Sequence, residues 1–266
     1  MPKGTGEPGA FVFVYELAMK KLSLALAFSV LLLPTLTTFA APQTADEIVE
    51  KHLAAIGGRA ALAKITSRKA VGTVTLTTEA GDLTGPAELY TKTPNKSRAL
   101  LTIDLTPVGM SETMTIDQRF NGTEGWAKNS MQDDTQITGN QLDNMKNSMF
   151  PSSLLTYKEQ GTKIDVLPKE TIGGKELIVL QVTPKAGSTS KMYLDPQTYL
   201  LVRSVARIVS PELGELEQTS EHSDYRAVDG IQIAFTVKNT TPVQVITITL
   251  KTVEHNVAMD DAMFNK

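Results

Sequence analysis

Residues 139–157, with the sequence GNQLDNMKNSMFPSSLLTY, separate two long runs of strand-like sequence and decide how the fold is built. Within them Leu142, Met145 and Met149 recur at intervals of three and four residues, the spacing of one helix face. Pro151 ends this pattern, because proline cannot continue a helix. The segment therefore predicts a Met-rich helix in the middle of a chain that otherwise reads as strands.

A second short helix follows the proline. Ser152 or Ser153 can cap its first turn, and Leu154, Leu155 and Tyr157 supply its apolar side chains. A helical pair of this kind needs an apolar surface to cover. We expect the pair to cover the hollow face of a sheet, and we expect the hollow to hold the ligand.

The remainder of the chain from Lys69 onward alternates apolar and polar residues with a period of two. About eleven or twelve such strands are joined by hairpin-length turns, of which Asn121-Gly122 and Asp229-Gly230 are strong examples. No crossover helix appears, which favours an antiparallel, meandering sheet. A dozen strands at about 4.8 Å would be more than about 50 Å wide, and a twisted sheet of that width curls. We therefore predict a mainly β fold with a curved sheet.

A helix precedes the strands. Thr44 and Glu47 have the spacing of a capping box, in which each side chain accepts a hydrogen bond from the other residue's amide. Gly57-Gly58 ends the helix, because glycine adopts the left-handed conformation at little cost, and residues 59–64 form another short turn. His52 in this helix is interpreted as a packing residue. Residues 45–64 and 139–157 are the two candidates to cover the sheet.

The first forty residues have the pattern of a secretory signal. Lys20 and Lys21 precede an apolar run at residues 22–33, and small residues lead to a cleavage site after Ala40, or alternatively Ala41. The apolar run is shorter than the roughly 20 residues that a membrane-spanning helix needs. We predict that Met19 is the true start, that residues 1–40 are a signal peptide, and that residues 41–266 form one exported domain.

Composition argues against several classes of function. The net charge is -3 and the basic residues are not clustered, so nucleic-acid binding is not expected. The chain has no cysteine, which removes disulfides, thiolate nucleophiles and a lipidated cysteine. The three histidines do not have metal-ligand spacing, and no nucleophile elbow or phosphate-binding loop occurs. We expect a protein that is not an enzyme, with no metal and no cofactor.

The remaining candidate for function is the apolar surface itself. Methionine is flexible and polarisable and suits surfaces that accept variable apolar ligands, although core packing is the alternative for any one Met. Met110 is a further methionine placed to face the interior. Trp126, the only tryptophan, either borders the hollow or packs at a strand start. The predicted ligand-binding residues are Leu101, Ile103, Met114, Ile116, Phe120, Trp126, Leu142, Met145, Met149, Phe150, Leu154, Leu155 and Met192.

Three stretches, FNGTEGW at 120–126, YLDPQTYLL at 193–201 and DYRAVDGI at 224–231, resemble the outer-membrane lipoprotein-sorting (LolA-like) proteins. The resemblance covers most of residues 44–264. It implies a half-closed β-barrel with a helical lid, and a periplasmic carrier that binds lipid or lipoprotein acyl chains. An inner-membrane transporter and an outer-membrane receptor are the implied partners, and the carrier is expected to be a monomer. The alternative is a periplasmic binding adaptor or envelope-stress sensor that recognises a protein partner with the same surface.

Overall fold

The structure is a computed structural model that describes residues 43–210 and 214–266. The predicted signal peptide, its cleavage site and the start at Met19 lie outside the described residues. From Gln43 to Lys266 the chain forms one compact unit. Within the described residues, no helix has the length and apolar character needed to cross a membrane.

The described chain contains thirteen strands, all antiparallel and all in one sheet. Their bounds are β1 Ser67–Thr78, β2 Gly81–Lys92, β3 Lys96–Asp104, β4 Thr113–Phe120, β5 Gly125–Asn129, β6 Thr135–Ile137, β7 Lys163–Ile172, β8 Lys175–Thr183, β9 Ser190–Leu194, β10 Leu201–Ser210, β11 Gly214–Val228, β12 Ile231–Thr240 and β13 Val245–His255. The helices are α1 Ala45–Ala55, α2 Arg59–Leu62 and α3 Gly139–Asn147, with 3-10 turns at Thr106–Val108, Ser153–Leu155 and Asp261–Phe264.

The strand order is β6-β5-β4-β3-β2-β1-β13-β12-β11-β10-β9-β8-β7. Every strand except the two at the edges pairs with two neighbours, and β1 pairs with β13 over ten positions to join the two halves. The sheet is curved, and β6 and β7 do not pair, so it is not closed into a barrel. The predicted curved antiparallel sheet with helical cover is confirmed.

The two faces of the sheet differ in what lies against them. We call the face that packs against α1 the inner face and the opposite one the outer face. Because residues directly opposite one another in an antiparallel pair project to the same face, the pairing of Ala87 with Leu101 and of Leu101 with Ile116 assigns all three to the inner face, together with Val74. One apolar cluster, around Val74 and Ile103, lies on the inner face of β1 to β4.

The capping box that starts α1 is present. The Glu47 amide donates to Thr44 Oγ1 at 3.3 Å and the Thr44 amide donates to Glu47 Oε2 at 2.9 Å. Gly57 ends the helix with φ +130°, and a Cβ there would lie 2.8 Å from the Gly230 carbonyl oxygen, so this close approach requires glycine. The glycine lets the helix return against the sheet at the β11–β12 turn.

The helix α1 buries one side in a second apolar cluster. Its Ile48, Val49 and Leu53 are almost fully buried there, against β8, β9 and β12. Full burial of each such side chain stabilises the fold by about 1.5–3 kcal/mol. His52 is also buried, as its interpretation as a packing residue requires, and its Nδ1 lies 2.8 Å from the Tyr199 carbonyl oxygen. Burial lowers the pKa of His52.

Two features differ from the sequence expectations. The short edge strand β6 was not predicted, because three residues carry too little periodicity to be recognised. Strand β4 begins at Thr113, and Met110 lies in the loop before it with 41% of its surface exposed, so the expectation that Met110 faces the interior is wrong. The strand β11 is fifteen residues long and polar on both faces, and its pairing with β10 and β12 holds it in the sheet.

Candidate functional site

The mid-chain helical segment connects the two edges of the sheet. The strand β6 forms one edge and β7, the next strand in the chain, forms the other. We call the connection, residues 138–162, the lid segment. Since its two ends are attached to opposite edges of a curved sheet, the lid segment crosses the inner face, as the sequence predicted for residues 139–157.

The first half of the lid segment, α3, is held on both sides of the hollow. On one side the Met145 sulfur lies 3.8 Å from Gln118 Nε2, and a methyl group placed on Gly125 would come within 3.3 Å of it. On the other side Asn144 Nδ2 donates to Ser188 Oγ at 3.2 Å, and Asn147 Nδ2 donates to the Ala186 carbonyl at 2.6 Å. The helix therefore spans from β4 and β5 to the β8–β9 turn.

The packing of α3 is light, since none of its residues is buried. Thr138 precedes the helix in an extended conformation but its side chain makes no capping hydrogen bond. Elements with few buried apolar contacts open at a low free-energy cost. The helix α3 is therefore attached to the sheet without any fully buried side chain.

The second half of the lid segment is anchored in the core. Leu154 and Tyr157 are 4% and 7% exposed and belong to the same cluster as α1. Ser152 caps the 3-10 turn by accepting a hydrogen bond from the Leu154 amide at 3.3 Å, which confirms one of the two predicted caps. Arg59 Nη1 donates to the Leu155 carbonyl at 2.9 Å. This half is therefore more deeply buried than α3.

A carboxylate on α1 strengthens the same anchor. The Tyr157 hydroxyl and the Lys158 ammonium both donate to the carboxylate of Asp46. The bond from Lys158, and then that from Tyr157, lower the pKa of Asp46 below its ordinary value. The carboxylate therefore remains ionised at neutral pH and holds the lid segment to α1.

A cavity of about 320 Å³ lies between the lid segment and strands β8 to β10. Its volume is at the lower end of the range of about 300–1,000 Å³ that is usual for ligand sites. Apolar side chains of Val182, Ala206 and Ile208 line it from the sheet and Leu154 lines it from the lid, while Asn144 and Asn147 contribute polar groups. A second cavity of about 420 Å³ adjoins it where β10 extends past the end of β9.

The inner face also carries apolar side chains that are not fully covered. Six of them pack on the cluster around Val74 and Ile103 and are half-buried: Leu76, Leu89, Met114, Ile116, Ile246 and Ile248. They lie on β1, β2, β4 and β13, in the central part of the sheet. The inner face therefore carries, apart from the lining of the 320 Å³ cavity, an apolar surface that the described residues leave partly open.

The predicted site residues on the sheet fall into different environments. Leu101, Ile103 and Phe120 are buried in the inner face, whereas Met114 and Ile116 are half-buried on it. Met192 is half-buried against the cluster that contains α1. These six residues share the inner face, but none of them lines the 320 Å³ cavity.

Trp126 lies on the other side of the sheet. It pairs with Arg119 on β4 and with Gln136 on β6, whereas the inner-face residue Phe120 pairs with its neighbour Gly125. Because successive residues of a strand project to opposite faces, the indole is on the outer face. Of the two alternatives for Trp126, the placement agrees with packing rather than with a border on the hollow.

The predicted residues of the lid segment are unequal in depth. Leu142, Met145, Met149, Phe150 and Leu155 are half-buried, and only Leu154 is buried. Leu154 is also the only one of the thirteen predicted residues that lines the 320 Å³ cavity. Phe150, Leu154 and Leu155 pack in the cluster that contains α1, and Met145 lies against Gly125, but the lining of the cavity excludes all the predicted lid residues except Leu154.

Sequence reasoning missed the cavity residues on β8 and β10. Val182, Ala206 and Ile208 occupy ordinary alternating apolar positions, which carry no local sign of facing a cavity rather than a core. The sequence did contain an indication of Asn144 and Asn147 as cavity residues. Two asparagines three residues apart lie on the same side of a helix, from which both can form hydrogen bonds to another element.

Comparison with known proteins supports the fold. No family profile and no curated protein matches the sequence. An outer membrane lipoprotein-sorting protein domain from Vibrio parahaemolyticus is similar in structure, with a TM-score of 0.50, 13% identity and coverage of 82% of this chain and 95% of that one. A LolA superfamily protein from Nitrosomonas europaea is also similar in structure, with a TM-score of 0.52, 14% identity and coverage of 85% of this chain and 99% of that one.

A DUF1329 family protein from Desulfovibrio piger is similar to the same extent, with a TM-score of 0.53, 12% identity and coverage of 84% of this chain and 98% of that one. Each of the three likenesses extends over more than four fifths of this chain. The described chain has a LolA-like fold.

Proposed function

We propose that this protein is a periplasmic carrier that shields the acyl chains of a lipid or lipoprotein, and that it does so without catalysis. The observation that carries the proposal is a half-buried apolar inner face together with a lid helix, α3, that has no buried residue of its own. A permanent core would bury both surfaces fully. A cover that leaves apolar side chains partly open suits a ligand that enters and leaves.

The energetics of acyl transfer are favourable for such a surface. Burial of one acyl CH₂ group contributes about 0.8 kcal/mol, so a chain of about 14 carbons supplies roughly 11 kcal/mol before ordering costs are subtracted. Opening a lightly packed helix costs only part of this amount. The carrier can therefore bind an acyl chain firmly and still release it to an acceptor.

The comparisons support the same class of ligand. One similar structure is that of an outer membrane lipoprotein-sorting protein domain, and the function named there agrees with an apolar hollow. In this proposal the protein is an exported monomer that receives its ligand from an inner-membrane transporter and delivers it to an outer-membrane receptor. Carriage consists of binding and exchange, so it needs no group that makes or breaks a covalent bond.

Mass spectrometry of the co-purified ligand tests the proposal. The full chain is expressed with its N-terminal segment, recovered from the periplasmic fraction, and extracted with organic solvent. We expect a lipid or an acylated peptide in about equimolar amount, and a protein of the same expression level with a closed core serves as the control. An empty extract together with a stoichiometrically captured protein would instead favour the adaptor or envelope-stress sensor.

A further inference from the structure

A row of polar residues crosses the inner face at the end of the sheet nearest α1. Arg68 on β1 pairs with Thr91 on β2 and with His255 on β13. Arg68 Nε donates to His255 Nε2 at 3.1 Å, and His255 Nδ1 lies 3.0 Å from Asp229 Oδ2. We call Thr91, Arg68, His255 and Asp229 the polar row.

The hydrogen bonds determine the protonation state of His255. A guanidinium group only donates, so His255 Nε2 accepts and Nδ1 carries the proton that it donates to Asp229. Burial is the main cause that lowers the pKa of His255, and the positive charge of Arg68 acts in the same direction. The imidazole is therefore neutral at neutral pH. It carries no negative charge that could compensate the positive charge of Arg68.

Arg68 is a largely buried cation without a counter-charge. Burial lowers its pKa to about 10, so it remains charged at neutral pH. Across residues 43–210 and 214–266, no carboxylate forms an ion pair with it. By contrast, Arg98 and Arg119 on the outer face both pair with Asp117, at 2.7 and 2.6 Å. Buried charges in proteins are normally paired, because an uncompensated one is costly.

Two further groups beside Arg68 are suited to an anion. The Thr91 hydroxyl is buried and has no hydrogen-bond partner. The side chain of Arg68 makes its one hydrogen bond within the described chain through Nε, which leaves its two Nη groups as donors. These donors match the two oxygens of a carboxylate or phosphate, which arginine binds in a forked geometry.

The lid covers this position directly. The ring of Phe150 lies over the Arg68 guanidinium, 5.1 Å from its centroid to Cζ, and the Phe150 amide donates to the Pro94 carbonyl at 2.7 Å. The aromatic face stabilises the unpaired cation while the hollow is empty. It also leaves the edge of the guanidinium free for a ligand.

An apolar track leads away from the polar row along the inner face. Leu89 is the next inner-face residue after Thr91 on β2, and Ile248 and Ile246 follow on β13 toward Leu76. The eight residue steps from Arg68 to Leu76 span about 26 Å, whereas one leaflet of a bilayer, half of its hydrocarbon core, is about 15 Å thick. The track is therefore long enough for an extended acyl chain whose charged end is at Arg68.

We propose that Arg68 anchors the carboxylate or phosphate of an anionic, acyl-bearing amphiphile, with the Thr91 hydroxyl as a second donor and Phe150 as a displaceable cover. This inference rests on the proposed carrier function and specifies its ligand class. The tail lies along the half-buried apolar side chains, and the anion supplies the charge that the folded chain lacks.

Ligands matched in tail length but different in head group test this directly. Binding of palmitate, palmitoyl lysophosphatidate, hexadecanol and inorganic phosphate is measured on the full chain. We expect one or both acyl anions to bind roughly 10- to 100-fold more tightly than hexadecanol, the range that a charge-assisted hydrogen-bonded pair supplies. The tighter of the two identifies the head group, and inorganic phosphate alone should bind at least as weakly as hexadecanol.

Variants assign the preference to Arg68. Arg68→Met should remove the preference and change hexadecanol binding by less than about threefold, because only the charged contact is lost. Arg119→Met is the matched control on the outer face, where Asp117 keeps Arg98 as a partner, and it should retain the preference. Arg68→Lys should retain part of the preference for anionic ligands, since lysine keeps the positive charge but cannot donate two parallel hydrogen bonds as a guanidinium does.

Two results would overturn the anchor while leaving the carrier intact: equal binding of anionic and neutral ligands by the native chain, or full preference in folded Arg68→Met. Tighter binding of inorganic phosphate than of any acyl ligand would overturn the amphiphile. If neither hexadecanol nor an acyl anion binds, the carrier function and the anchor fail together. If Arg68→Met does not fold, the comparison of ligands on the native chain still tests the anchor. Thr91→Val tests it as well, because this variant should lower the ratio of acyl-anion affinity to hexadecanol affinity several-fold.

Discussion

The lid helix α3 permits a test that separates a cover from a core. The perturbation is the double variant Met145→Asp and Met149→Asp. Both side chains are half-buried, and Met145 lies against Gln118 and Gly125 on the inner face. The variant places two carboxylates where the acyl chain is expected to lie.

The magnitude follows from the partial burial of both methionines. Full burial of a methionine contributes about 1.5–3 kcal/mol, so the loss of two half-buried ones costs about 2 kcal/mol of acyl contact. Each carboxylate against an apolar ligand adds about 1 kcal/mol, the low end of the usual penalty, since Gln118 can donate to one of them and α3 can move outward. The sum of about 4 kcal/mol weakens acyl binding by roughly 1,000-fold.

Stability should change much less than binding. Since α3 has no buried residue, the new carboxylates can reach water in the empty protein. The free energy of unfolding should therefore fall by about 1 kcal/mol or less. Lys146→Asp is the matched control, because it introduces a carboxylate on the exposed side of the same helix.

Titration of a fluorescent fatty-acyl probe and circular dichroism melting measure the two quantities. The expected result is lost binding in the double variant, retained binding in Lys146→Asp, and a β signal that melts cooperatively in both. Loss of the β signal at room temperature would refute the reasoning, because the methionines would then be core. Unchanged affinity would refute it too, because α3 would then cover nothing that the ligand needs.

Leu154→Ala should lower the free energy of unfolding by about 3–4 kcal/mol in denaturant melts, since Leu154 is almost fully buried, whereas Leu155→Ala at the half-buried neighbour should cost less; equal losses would contradict the core assignment. The fluorescence of Trp126 should stay unchanged during acyl titration, because its indole is on the outer face, and a saturable change would contradict that placement. The pKa of each of the three histidines is lowered, mainly by burial. The unfolded chain therefore binds more protons as the pH falls below about 6.5, and the melting temperature should be constant above that pH and fall between about 6.5 and 5; a rise on acidification would exclude this linkage.

Features that depend on neighbours within a few residues were predicted correctly. The capping box joins Thr44 and Glu47, three residues apart, and the Asn121-Gly122 and Asp229-Gly230 turns connect adjacent strands. The alternation of apolar and polar residues along each strand is also local, because successive side chains project to opposite faces of the sheet. Such interactions are complete within a short window, so composition and spacing are sufficient to recognise them.

Contacts between distant parts of the chain decided the site. The lid crosses the hollow because β6 and β7 are at opposite edges, and that order depends on the pairing of β1 with β13. The same pairing brings Arg68 beside His255, 187 positions away, and leaves the cation without a carboxylate.

The amino-acid sequence by itself determined the strands, the turns, the capped helix and the presence of an apolar lid, because these follow from local conformational preference and from the alternation of apolar side chains. Only the tertiary structure decided which apolar positions line a cavity, that Trp126 faces outward, and that Arg68 is buried unpaired. The physical reason is that burial and charge compensation are properties of the groups that surround a side chain, and the curvature of the sheet chooses those groups from segments more than a hundred residues apart.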